Sequence, residues 1–116
     1  MPELDSEIWL ARKTGRVEMG IKKVRRLLVT GNEKPKLVIL ATNIDEDTRA
    51  ELEYLAKLSG VPVLLYEAGS LQLGRALHKP FFVSAVAILD QGESSILDIV
   101  REGGGKDSEQ ENSTRA

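Results

Sequence analysis

Three short apolar runs constrain this chain most: Lys36–Ala41 (KLVILA), Val63–Tyr66 (VLLY) and Phe82–Leu89 (FVSAVAIL). Each is brief, rich in branched residues and bounded by polar or Gly/Pro turns, so each reads as a strand. A strand that is apolar on both faces has to be covered on both. The segments between the runs supply the covers. Pro2–Lys13 carries Leu4, Ile8 and Leu10–Ala11 at helical spacing, with Pro2 suited to a first turn. After an extended piece at Val17–Met19, a second helix begins at Gly20. Ile21, Val24, Leu27 and Leu28 lie on one side of it, and Lys22, Lys23, Arg25 and Arg26 largely on the other. Thr30–Gly31–Asn32 ends it, the glycine supplying a left-handed cap. Asn43–Asp47 is a loop with several potential caps. Thr48–Ser59 follows as a helix with Leu52, Leu55 and Ala56 as its stripe. Thr48 and Glu51 have the spacing of a capping box, and Gly60 closes the helix. Ser70–Leu77 is a short helix with Leu73, Ala76 and Leu77 inward, and Ser94–Arg101 a last short helix or strand.

Strands alternating with helices in this way predict an α/β fold, a three-layer α/β/α sandwich with Phe82–Leu89 as a central strand and Val63–Tyr66 as a buried one. Residues 1–101 form one domain. The polar stretch 102–116, with no apolar residue except Ala116 to anchor it, is expected to be disordered.

Several classes of chemistry are excluded by what the chain does not contain. It has no cysteine, which removes disulfides, thiolate metal sites and a cysteine nucleophile. Its one histidine, His78, cannot build a multi-histidine metal site. There is no phosphate-binding Gly-rich loop and no nucleophile elbow. Glu51 and Glu53 point to different sides of their helix. A non-enzymatic protein without metal or cofactor is expected. No apolar run is long enough to cross a bilayer, and Glu3, Asp5 and Glu7 give the N-terminus nothing of a signal peptide. A cytoplasmic protein without a membrane partner follows. The net charge of −2 weighs against nucleic acid, whose binders are usually basic. The charge is uneven, however: Arg12, Lys13, Arg16, Lys22, Lys23, Arg25 and Arg26 crowd the first third, and Asp45, Glu46, Asp47, Glu51 and Glu53 follow. A local basic patch can still bind phosphate.

Several blocks in one register carry a resemblance. They are Val17–Lys23 (VEMGIKK), Lys36–Asn43 (KLVILATN), Glu51–Val63 (ELEYLAKLSGVPV), Leu73–Gly74 and Val83–Ser94 (VSAVAILDQGES). Together they resemble the L30e ribosomal protein family, within the wider L7Ae superfamily of proteins that bind kink-turn and related RNAs. The likeness runs from about Ile8 to Leu97. It implies a mixed four-stranded sheet in the sandwich, an archaeal or eukaryotic source, and a non-catalytic, monomeric protein of the large ribosomal subunit. Its partner would be a kink-turn or similar internal loop of rRNA, with neighbouring ribosomal proteins as further contacts. RNA would be held at one end of the fold by three segments: Gly20-Ile21-Lys22, Asn43 with its loop through Arg49, and Phe81-Phe82-Val83.

The residues themselves offer fitting chemistry, each beside a plainer reading. A helix N-terminus at Gly20 suits a phosphate, and Lys22 adds a full charge; equally, Gly20 is a tight turn and Lys22 a solvated lysine. Lys23 can line a phosphate, whereas Arg25 and Arg26 read as a solvated face. The Asn43 amide can read a base edge or cap a helix, and Arg49 can grip a phosphate. Phe81 can stack on a splayed base. Side chains alternate along a strand, so Phe81 and Phe82 cannot both face the core; the plainer reading is that one is buried and the other incidental. His78 reads as a surface residue, Trp9 as a cover for the sheet or a helix edge, and Leu73–Gly74 as structural. Glu18 is either an RNA contact or a partner of Lys22. Asp45–Asp47 are either caps or a charge filter against some RNAs. Two alternatives remain. One is a kink-turn adaptor of a small RNA–protein particle, disfavoured because such proteins carry Asn-Glu where this chain has Ile21-Lys22. The other is an acidic protein-interaction module.

Overall fold

The computed structural model describes residues 2–100. Its elements, in chain order, are α1 (Pro2–Thr14), β1 (Arg16–Met19), α2 (Ile21–Thr30), β2 (Leu37–Ala41), α3 (Glu46–Ser59), β3 (Val63–Tyr66), α4 (Ser70–Ala76) and β4 (Ala85–Asp90). Residues 96–100 are also helical, which settles the last segment as a helix. The stretch 102–116, for which disorder is expected, lies outside the described residues, as does Arg101.

The four strands form one sheet in the order β1-β4-β2-β3. β2 and β3 run parallel, and β4 runs antiparallel to both β1 and β2. Alternation along β2 and β4 divides the core in two. Leu37, Ile39, Ala41, Val86 and Ile88 pack with Leu4, Ile8 and Ala11 of α1, Leu73 of α4 and Ile96. Val38, Leu40, Ala85 and Ala87 pack with Val24 and Leu28 of α2 and with Leu52 and Ala56 of α3. The result is the expected three-layer α/β/α sandwich with a mixed four-stranded sheet. Both anticipated glycine stops are present: Gly31 and Gly60 have φ values of 67° and 72° and cap α2 and α3.

Three local expectations are corrected. β4 begins at Ala85 and not at Phe82. Its neighbours end there: Met19 pairs with Val86, Gly20 leaves the ladder after donating to the Ala85 carbonyl, and β2 stops at Ala41. Ser84 still accepts from the Ala41 N–H at 2.9 Å, but Phe82 and Val83 before it have no strand on either side to complete a ladder. α3 begins at Glu46, two residues before the anticipated Thr48, with Asp45 as its cap. The Asp45 carboxylate accepts from the Thr48 N–H at 3.1 Å. A carboxylate placed before two further acidic first-turn residues suits the positive end of the helix dipole. Glu51 does not reach back to close a capping box; it pairs with Arg25. Finally, β3 is a sheet edge, so Val63, Leu64 and Leu65 are only half-buried.

The Arg25–Glu51 pair ties α2 to α3. Two parallel hydrogen bonds of 3.0 and 2.9 Å join the guanidinium to the carboxylate. They raise the Arg25 pKa and lower that of Glu51 below its ordinary 4.5. A lowered carboxylate contributes stability above its unfolded value and loses it as the pH falls through its folded value. Glu51→Gln should therefore lower Tm modestly at pH 7 and low salt. The gap to the parent should close as the pH is taken below about 4.5, and the pair's exposure should let salt narrow it too. Thermal melts over pH and salt test this; a gap that does not change with pH would assign the effect to packing.

Candidate nucleic-acid interface

β1, β2 and β3 all finish at the end of the sheet where β4 starts. Four junctions therefore meet there: Gly20 after β1, Thr42–Asn43 after β2, Gly69–Ser70 after β3 and Phe81–Ser84 before β4.

Gly20 has φ 114° and ψ 143°, a conformation that L side chains rarely adopt. A Cβ there would meet nothing within 4 Å, so the demand is for backbone freedom, and the surrounding space is open. Among the described residues no side chain caps α2, and no acidic residue lies in its first turn. Its leading N–H groups, with their partial positive charge, are left for an outside acceptor. Lys22 stands exposed beside them with no carboxylate partner among the described residues. Lys23 does have one: its Nζ lies 3.6 Å from Glu18. Glu18 thus pairs with Lys23 and not with Lys22.

Asn43 does act as a cap, but for a helix far from it in sequence. Its Oδ1 accepts from the Ser70 backbone N–H at 2.9 Å, and its Nδ2 donates to Ser70 Oγ at 3.3 Å. Gly69, the residue before α4, has no side chain to do this. The Thr42 hydroxyl adds a second tie to that loop, donating to the Ala68 carbonyl at 3.2 Å. Ser70, only 3 % exposed, also accepts from the Val83 N–H through its carbonyl at 3.1 Å. Further along α4, a Cβ on Gly74 would lie 2.1 Å from the Phe81 carbonyl oxygen. The missing side chain is what lets the helix lie against the Phe81 backbone. One turn of α4 therefore positions both the Asn43 loop and the phenylalanine segment.

Phe81 and Phe82 are 51 % and 68 % exposed. The segment is not a strand, so alternation does not apply, and neither ring enters the core. Val83 is buried. Met19, Gly20, Ile21, Phe81, Phe82, Val83 and Ser84 enclose an open cleft of about 210 Å³. Two of the three segments anticipated from sequence thus form one cavity. Asn43 joins them through Ser70, and among the described residues one N–H and one acceptor lone pair of its amide stay uncommitted. Arg49 does not line the cleft: it lies in the first turn of α3 and donates from Nε to Glu53 at 3.1 Å. Thr42, Ser70 and the Gly69 backbone were not marked by the sequence, because no local pattern links Asn43 to a serine 27 positions away.

The description "Ribosomal protein L7Ae/L30e/S12e/Gadd45 family" belongs to the family model that matches residues 3–98. Among curated relatives, the large ribosomal subunit protein eL30 of Pyrobaculum islandicum is 41 % identical over 100 residues, covering 86 % of this chain and 97 % of the relative. The eL30 of Methanothermobacter thermautotrophicus is 44 % identical over 98 residues, covering 84 % and 98 %. That of Methanocaldococcus jannaschii is 39 % identical over 104 residues, covering 88 % and 93 %.

Truncating Asn43 to Ala would strand the buried Ser70 N–H and hydroxyl. The expected loss is roughly 1–3 kcal/mol in urea denaturation. Ser70→Ala should cost less, since the backbone bond survives it. The double variant should fall short of the sum, as residues of one network do. Strict additivity would show that the two side chains act independently.

Proposed function

Since the chain belongs to the ribosomal protein L7Ae/L30e/S12e/Gadd45 family, we propose that it is a non-catalytic, RNA-binding component of the large ribosomal subunit, working on the cytoplasmic ribosome. Its ligand is a kink-turn or similar internal loop of rRNA. One observation carries the reading of the site: junctions far apart in the chain converge on a cleft that joins an uncapped helix N-terminus to two exposed phenylalanines. A phosphate or base acceptor approaching Gly20 meets the free N–H groups of α2 and the Lys22 ammonium. An unstacked base can lie on Phe81, because an aromatic face accepts any base and needs only that it be splayed from its neighbours. The spare donor and acceptor of Asn43 can read a base edge beside it. A regular duplex offers phosphate but no free base, since its bases are already stacked and paired.

Ile21-Lys22 follows the helix-initiating glycine, where kink-turn adaptors resemble one another in carrying Asn-Glu. The eL30 relatives reported above are all named for the large subunit. Both observations favour a ribosomal role over an adaptor role.

A kink-turn RNA titrated over a range of salt concentrations should bind with an affinity that falls steeply with salt. Lys22→Ala should reduce that slope by about one. Phe81→Ala should cost roughly 1–3 kcal/mol of affinity and leave the fold intact, because the ring is exposed. Binding that ignores salt, or no binding, would sink the reading. Co-sedimentation with large subunits separates the ribosomal component from an adaptor.

A further inference from the structure

The described residues include six arginines, and three of them are neutralised: Arg16 by Glu33, Arg25 by Glu51 and Arg49 by Glu53. Arg12, Arg26 and Arg75 have no carboxylate partner among the described residues. Arg26 follows Lys22 by one turn of α2. The other two flank a feature on the opposite layer of the fold, between α1 and α4.

There Trp9 and His78 stack with ring centroids 3.6 Å apart and planes 9° from parallel. The Arg12 guanidinium lies over the Trp9 ring, 5.6 Å from its centroid. Arg75, Trp9 and His78 line a cavity of about 270 Å³ together with Asp5, Ser6 and Gln72. Asp5 is the one carboxylate among these, and it is already committed: it accepts from the Tyr66 hydroxyl at 2.6 Å and from the Gln72 amide at 3.4 Å. His78 is also the only non-glycine described residue with a positive φ, 59°. Its N–H donates to the Arg75 carbonyl at 2.9 Å. The turn after α4 thus adopts an unfavourable backbone conformation that sets an imidazole flat on an indole. Because His78 is exposed, its far face meets solvent.

We propose that this α1/α4 face is a second RNA contact. It would take one unstacked base on the outer face of His78, with the flanking phosphates on Arg75 and Arg12. Stacking on an aromatic plane is open to any base that is not already stacked, so the partner is an unpaired stretch of RNA and not a helix. Arginine forks fit phosphate oxygens in pairs, and here they are not spent on carboxylates. This cavity shares no lining residue with the cleft at Gly20 and Phe81. One molecule can therefore hold two segments of rRNA at once. From the reading of the cleft this inference takes only the chemical class of its partner.

Trp9 is the only tryptophan and reports on this face directly. The full chain is first saturated with kink-turn RNA and then titrated with single-stranded oligoadenylate. A saturable, salt-sensitive quench of Trp9 emission is expected. His78→Asn removes the ring while keeping a residue that tolerates the left-handed backbone; it should weaken the oligoadenylate roughly tenfold. Arg75→Ala should weaken it as well, and Phe81→Ala should leave it unchanged. No quench, an equal quench in His78→Asn and Arg75→Ala, or sensitivity to Phe81→Ala would overturn the proposal. The cleft is judged separately, by kink-turn affinity in the same variants. In large subunits, a photo-crosslinking side chain in place of Ser6, which is exposed and lines this cavity, should join rRNA. Crosslinks confined to protein, or none, would also overturn it.

Discussion

The hydrogen bonds around Ser70 are the constraint on which the candidate interface depends. Ser70 is almost fully buried, at the first position of a helix whose preceding residue is a glycine. Its N–H, hydroxyl and carbonyl must all find partners inside the protein or remain unpaired at considerable cost. The N–H and hydroxyl take the Asn43 amide, and the carbonyl takes the Val83 N–H. Satisfying one buried residue therefore fixes two loops that share no sequence. The third loop is fixed by β4, which accepts the Gly20 N–H at Ala85 one strand away. The cleft is thus assembled from element ends whose backbone groups had to be satisfied somewhere. A surface made this way is preorganised, and association need not order those loops again.

That arrangement explains what was legible in the sequence and what was not. The apolar run of β2 and the stripe of α3 are local patterns, as are the glycines at 31 and 60, and each appears in the structure where its pattern put it; of the run 82–89, only Ala85–Leu89 is strand. Patterns fail where a tertiary partner overrides them. Phe82–Val83 reads as strand because it is apolar, but no strand lies beside it, and its one buried N–H goes to Ser70. Thr48 reads as a cap because Glu51 stands three residues on. Asp45 takes that role, and Glu51 is drawn away by Arg25 across the helix interface. Asn43 had two competing readings from sequence, a cap and a recognition residue. The structure shows the cap, on α4 and not on the adjacent helix, and leaves half of the amide's hydrogen-bonding capacity open. The resemblance to a known family singled out Asn43, but only the fold shows how Asn43 is held near the cleft.

Charge resolves in a similar way. A chain with a net charge of −2 is a poor candidate for RNA if charge is only counted. Paired by position, its carboxylates neutralise particular cations: Glu18 takes Lys23, Glu33 takes Arg16, Glu51 takes Arg25 and Glu53 takes Arg49. The conspicuous run of Lys22, Lys23, Arg25 and Arg26 is therefore half spent, and what remains for phosphate is Lys22 and Arg26, one turn apart on α2. Beyond about a Debye length, roughly 8 Å at physiological salt, the molecule presents little attractive field to a polyanion. Within that distance, an uncapped helix end and the cations left unpaired dominate. Such a protein gains little from long-range steering and discriminates by close fit. On the proposed reading, phosphate would be held only where the RNA backbone comes near enough to reach an unpaired cation, and an aromatic surface would be used only where a base has already left its stack. On that reading, neutralising Lys23 and Arg25 within the basic run would thus favour RNA that fits the cleft over RNA that merely carries charge.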